Sequence, residues 1–116
     1  MHTGEELMAF DLNLHDRITA IIAPWQGLAA KRMFGGICYV LQGNMFAGVY
    51  KDFLILRLGE AGASEALKLP FSRPLNITGK PMKGWVMVSP EGNAADADLR
   101  AWLEKAKAFA LSLPPK

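Results

Sequence analysis

Two polar breaks, Gln42-Gly43-Asn44 and Lys51-Asp52, interrupt the largely apolar run of residues 33–58, and neither is long enough for a crossover. Parallel neighbours need a connection of about a dozen residues or more, so breaks this short admit only hairpins. The run is therefore expected to form an antiparallel meander with strands over residues 33–41, 45–50 and 53–58. Side chains alternate along a strand. In the third strand this sends Phe53, Ile55 and Arg57 to one face and Leu54, Leu56 and Leu58 to the other. Gly35 and Gly36 stand near the start of the first strand. A glycine pair there marks a bulge or the close approach of another backbone.

The flanks switch to helical spacing. Leu7, Phe10, Leu14, Ile18, Ile21, Ile22 and Trp25 recur three and four residues apart, a single apolar stripe that Pro24 and Gly27 bring to an end. Leu99, Trp102, Leu103, Ala106, Phe109, Ala110 and Leu113 repeat the pattern before Pro114-Pro115. Asn93 with Asp96 resembles a capping box, and Asp96–Arg100 and Glu104–Lys107 are spaced to pair on the exposed face. Between these regions the sequence predicts a short helix over residues 64–67 capped by Ser64, a short strand over 75–78 and another over 84–89. Two amphipathic helices need an apolar face to cover. The expected architecture is α+β: a two-layer sandwich of an antiparallel sheet, about four to five strands, with N- and C-terminal amphipathic helices.

At 116 residues the chain is the size of one domain, 1–116, and long enough to bury a core without disulfides or metal. The formal net charge of +2 falls short of the imbalance expected of a protein held mainly by phosphate contacts. Cys38 is the one cysteine, which rules out an internal disulfide and suits a reducing compartment. The N-terminus lacks a signal-peptide pattern, and no apolar run reaches the ~20 residues of a membrane span. A cytoplasmic protein with no membrane partner is expected.

The inventory of reactive groups is sparse. His2, His15 and Cys38 lack metal-ligand spacing, so neither a metal nor another cofactor is expected. Cys38 lies between Ile37 and Tyr39 in an apolar strand and reads as a small buried side chain rather than a nucleophile. Ser64, Ser72, Ser89 and Ser112 lie outside any nucleophile elbow, and Gly79-Lys80 has Pro74 where a phosphate loop would open on glycine. No enzyme activity is expected. Lys31, Arg32, Arg57, Lys80 and Lys83 form one positive surface if Arg57 points to the helix-free face. The alternative is scattered solvated charge, or Arg57 paired with a carboxylate. Trp25 and Trp102 fall on helical stripes and belong in the core, whereas the faces of Tyr50 and Trp85 are open. Phe46, Tyr50 and Trp85 with Lys51 and Lys83 make a thin version of a single-strand-binding pattern.

Several separated motifs, in order, resemble one family. They are Arg32-Met33-Phe34-Gly35-Gly36, then Gly43-Asn44-Met45-Phe46-Ala47-Gly48-Val49-Tyr50, then Leu56-Arg57-Leu58-Gly59. Thr78-Gly79-Lys80-Pro81-Met82-Lys83-Gly84-Trp85-Val86 follows, and a closing segment runs from Leu99 and Trp102 to Leu113-Pro114-Pro115-Lys116. Together they are similar to the TfoX N-terminal domain family, represented by Sxy-type competence regulators, over residues 7–116. The resemblance implies an antiparallel α+β domain without enzyme activity. In the full-length bacterial regulators it implies transcriptional activation at competence promoters alongside the cyclic-AMP receptor protein. Those regulators carry a second domain of helix-hairpin-helix character, so a single-domain form is expected here.

The resemblance makes Arg32, Arg57, Lys80 and Lys83 the candidate recognition residues. Met33, Phe34, Gly35, Gly36, Gly48, Gly84 and Trp85 become structural motif positions, with Gly35 and Gly36 permitting close backbone packing. The expected role is a regulatory, protein-interaction domain whose partner belongs with the transcription machinery. A nucleic-acid binder using the basic residues, and a small anionic-ligand site around Arg57, are the alternatives. Open sheet edges leave room for a homodimer.

Overall fold

The computed structural model describes residues 10–33, 35–76 and 79–116. In chain order these form α1 (Leu12–Ile22), β1 (Leu28–Met33), β2 (Gly36–Leu41), β3 (Asn44–Tyr50), β4 (Phe53–Arg57), α2 (Gly59–Ala66), β5 (Ser72–Pro74), β6 (Trp85–Val88), α3 (Pro90–Asn93) and α4 (Asp96–Leu111). The strands build one sheet in the order β1-β2-β3-β4-β6-β5, with every neighbouring pair antiparallel. The α+β two-layer architecture is as the sequence predicts, with six strands among the described residues instead of four or five.

One face of the sheet carries the main core. Leu14, Ile18, Ile21 and Ile22 of α1 and Leu99, Trp102, Leu103, Ala106 and Ala110 of α4 pack with Leu54 and Leu56 of β4 and Val86 and Val88 of β6. The meander is closed by tight turns at Gln42-Gly43 and Lys51-Asp52, where Gln42, Gly43 and Lys51 adopt positive φ. Between β2 and β3 the register steps, so that Tyr39 faces Ala47 while Val40 faces Met45. Phe46 is the extra residue of a bulge, and Phe46 and Ala47 both join the helix-side core. Side-chain bonds order the helical layer. Asp11 caps α1 by accepting from the Leu14 N–H at 3.1 Å, and Trp102 Nε1 donates to the Gly92 carbonyl at 3.0 Å.

Several local expectations are corrected. β1 is a strand where the sequence showed only a basic approach to the meander; it is an edge, exposed along most of its length, so no burial imprints alternation on it. Gly35 then belongs to the β1–β2 turn at φ +78° rather than to a bulge inside a strand. α2 begins at Gly59, so Ser64 lies within it and caps nothing. The strand expected at 75–78 is displaced to Ser72–Pro74, and Ile77 and Thr78 lie outside the described residues, as does Leu7 of the first stripe. The Asn93–Asp96 capping box does not form. Asn93 ends α3 and donates to the Ser89 carbonyl at 3.2 Å, while Asp96 accepts from Arg17 Nε at 3.0 Å. That bond takes Asp96 away from Arg100, and Lys107 lies 4.5 Å from the Trp25 ring centroid instead of pairing with Glu104.

Candidate interaction groove on the open sheet face

A continuous row of directly opposed residues crosses the sheet: Lys31, Cys38, Gly48, Ile55, Met87 and Arg73, one from each strand. Opposed residues share a face, and this row looks away from α1 and α4. At its β4–β6 end, Ile55 and Met87 form a second small core with Leu75, packed by Tyr50, Phe53 and Trp85. Leu75 opens the connection to β6, whose described residues 79–84 return to this half of the face. The Met82 N–H donates to the Leu75 carbonyl at 3.0 Å, and the Trp85 N–H donates to the Met82 carbonyl at 3.2 Å.

The other half, above Cys38 and Gly48, stays open. It is an apolar groove of about 330 Å³ walled chiefly by Met33, Met45, Tyr50, Met82 and Trp85. Gly48 lies in the floor of the hollow, where β2 approaches closely: a Cβ there would lie 2.7 Å from the Ile37 carbonyl oxygen. Cys38 is half-buried rather than sealed in the core, and burial raises its thiol pKa above the ordinary range. The sequence placed Cys38 inside because its neighbours are apolar; it lies instead in the floor of the groove on the helix-free face.

The predicted recognition residues do not all meet. Arg57 and Trp85 oppose each other on the open face, as parity along β4 predicts. The Arg57 guanidinium carbon lies 5.6 Å from the ring centroids of both Trp85 and Phe109, and Nη1 makes a long 3.5 Å contact to the Met45 carbonyl. The ion pairs among the described residues are Arg17–Asp96 and Lys68–Glu65, so a carboxylate partner for Arg57 is not found there. Lys80 and Lys83 stand exposed on the loop beside Met82. Arg32 is on the opposite face: it opposes Ile37 of the helix-side core and stacks over Phe10 at 5.7 Å. Lys31 takes its place on the groove side.

Of the motif positions, Met33, Gly36, Gly48 and Trp85 line the groove. A Cβ on Gly36 would overlap the Val49 carbonyl, so the close packing expected of the glycine pair belongs to Gly36, while Gly35 has no neighbour to crowd it. The Gly84 carbonyl accepts from the Leu58 and Gly59 N–H groups at 2.8 and 3.1 Å, which ties the loop to the start of α2. Phe34 lies outside the described residues. Sequence reasoning missed Met45 and Met82 as site residues, and counted Lys31 in the positive surface without placing it beside Cys38. The signal was available for Lys31 alone, through its parity with Cys38 once a β1–β2 hairpin is allowed.

Elsewhere, His15 is a structural residue. Its Nδ1 lies 2.6 Å from the Tyr39 hydroxyl, with the two rings stacked at 5.8 Å. Tyr39 is only 2% exposed, and burial raises its phenol pKa well above the usual range, with smaller contributions from Cys38 and Asp16. Among the described residues no three His, Cys, Asp or Glu side chains converge as a metal set, and no helix is long and apolar enough to cross a membrane.

Residues 20–110 match the family described as the TfoX N-terminal domain. A search of curated proteins gives no match. The family match covers most of the 116 residues and contains every wall of the groove from Met33 to Trp85. The chain belongs to the TfoX N-terminal domain family.

Proposed function

We propose that this TfoX-type regulatory domain is a non-enzymatic interaction module that holds a protein partner in the groove on its open sheet face. The observation that carries the reading is convergence. Three sequence motifs separated along the chain contribute Met33 and Gly36, Met45, Gly48 and Tyr50, and Met82 and Trp85 to one apolar hollow. A fold that needed those motifs for packing alone would have no reason to gather them around an open space. Methionines suit such a surface, because an unbranched thioether adapts to the shape of an apolar partner. The one nucleophile in the hollow, Cys38, is shifted away from its reactive thiolate form, which favours a binding role over covalent chemistry. The transcription-linked role of the family makes transcription proteins, including the cyclic-AMP receptor protein, the first partners to try.

The test is capture of a partner from the source cells in the presence of nuclease, with wild type and with Met82→Asp. Met82 is 43% exposed, so the change alters the groove wall without entering the core. A partner that resists nuclease, is lost with Met82→Asp and shields Cys38 from alkylation supports the reading. A partner retained by the variant, or one that leaves Cys38 open, moves the site elsewhere and overturns it.

A further inference from the structure

We infer that the groove takes an acidic peptide segment of the partner, anchored by one bulky apolar side chain inserted above Gly48. This rests on the interaction reading above and adds the chemistry of the occupant.

The first support is the distribution of charge. The chain carries a formal charge of only +2, with 13 basic and 11 acidic residues, so it has no general excess of base. The carboxylates are sorted by layer, whereas bases occur on both. The six strands hold Lys31, Arg32, Arg57 and Arg73 and no carboxylate, and the loop 75–84 adds Lys80 and Lys83 and again none. Asp52, in the β3–β4 turn, is the exception on the sheet side. The other carboxylates of the described residues, such as Asp16, Asp96 and Glu104, lie in or beside the helices; Glu60, at the start of α2, shares a separate surface hollow with Met82, Lys83 and Trp85 and does not line the groove. Register places Lys31 at the Cys38 end of the open face and Arg57 at the Trp85 end, with Arg73 on the outer strand beyond Met87, where Glu91 lies within its field. The apolar hollow is thus bracketed by bases, and a partner that buries an apolar anchor there brings its flanking residues against them. Complementary charge at that rim speeds encounter and rejects basic competitors.

The second support is what covers the aromatic rings. A basic sheet face with Tyr50, Phe53 and Trp85 suggests single-stranded nucleic acid, which needs free ring faces for base stacking. Here each ring is already matched with a cation: Lys51 over Tyr50 at 5.5 Å, Arg73 over Phe53 at 5.2 Å and Arg57 over Trp85 at 5.6 Å. The same rings pack on the Ile55–Leu75–Met87 cluster. What remains open is a methionine-walled hollow. At about 330 Å³ it lies at the small end of ligand-binding cavities, a size for an anchoring side chain.

The test is selection of random linear peptides on the intact protein at low salt. The expected winners combine Asp or Glu with a Trp, Phe, Leu or Met, and shield Cys38 from iodoacetamide. The affinity of a synthetic winner falls about tenfold or more in Lys31→Glu/Lys83→Glu, and in the milder Lys31→Gln/Lys83→Gln should charge reversal disturb folding. Neutral or basic winners that still shield Cys38 overturn the acidic occupant but leave the groove as the interaction site. Absence of enrichment, or winners that leave Cys38 open, sinks both. A single-stranded oligonucleotide that shields Cys38 and displaces the peptides replaces the peptide with nucleic acid.

Discussion

Cys38 and Gly48 face each other across β2 and β3, and that pair forms the floor of the open groove. A glycine opposite a small thiol puts no bulky side chain into the gap between Met33, Met45 and Trp85. The gap occurs on the one sheet face that neither α1 nor α4 covers, so it opens to the outside.

Gly48→Ala tests how tightly that floor is built. The new Cβ would meet the Ile37 carbonyl oxygen at 2.7 Å, a backbone atom that cannot swing aside. Overpacking of this kind costs roughly 1–3 kcal/mol. Urea unfolding of the variant should show the loss, together with weaker binding of any groove ligand. Unchanged stability would mean that β2 and β3 part more easily than their register implies.

Cys38 should alkylate slowly. Burial raises its pKa, so at pH 8 less of it is thiolate than for a free thiol of pKa about 8.5. The rate of iodoacetamide labelling should lag that of a small model thiol and should still be climbing above pH 9. A rate equal to or faster than the model thiol at pH 8 would refute the burial argument.

Stability should fall at alkaline pH through Tyr39. Its folded phenol holds its proton above the usual range, while the unfolded phenol releases it near pH 10. Above that pH the folded state binds more protons than the unfolded state, so unfolding becomes more favourable as pH rises. Tyr39→Phe should flatten this alkaline limb, measured by thermal melts from pH 8 upward. It should also lower stability by about 1 kcal/mol near neutrality through loss of the His15 bond.

Arg17 links α1 to the start of α4. Its Nη2 donates to the Asn93 and Ala94 carbonyls at 2.8 and 3.1 Å, and its Nε donates to Asp96 at 3.0 Å. Asp96 is largely exposed, so the two carbonyl bonds carry most of the effect. Arg17→Ala should cost about 1–2 kcal/mol in urea unfolding, with high salt recovering little of it. Leu103→Ala, at a fully buried α4 position, should cost more, about 2–5 kcal/mol.

Elements with a buried face and a clear period were legible in the sequence. Leu14 to Ile22 and Leu99 to Ala110 wrote their helices into their spacing, and Leu54 and Leu56 against Ile55 and Arg57 fixed the faces of β4. β1 was not legible. As an exposed edge strand, its Ala29, Ala30, Lys31 and Arg32 are selected by no core, and its backbone bonds to β2 leave no mark on residue type. The local capping signal at Asn93 and Asp96 failed because a distant residue, Arg17, competes for Asp96, while Asn93 turns to the carbonyls that close α3.

The sequence by itself determined that the 33–58 run must fold back as hairpins, that two amphipathic helices must cover one side of the sheet, and which motifs to watch. Short connections and hydrophobic period act locally, so they can be read along the chain. Which side of the sheet each motif faces was decided by tertiary structure. One added strand placed Lys31 beside Cys38 and sent Arg32 to the far face, and the return of residues 79–84 brought Met82 and Trp85 into one hollow with Met45 and Gly48. A groove is a relation between strands that are neighbours in space. It depends on register and chain crossing, and a step of one residue in either would have turned every one of those side chains to the opposite face.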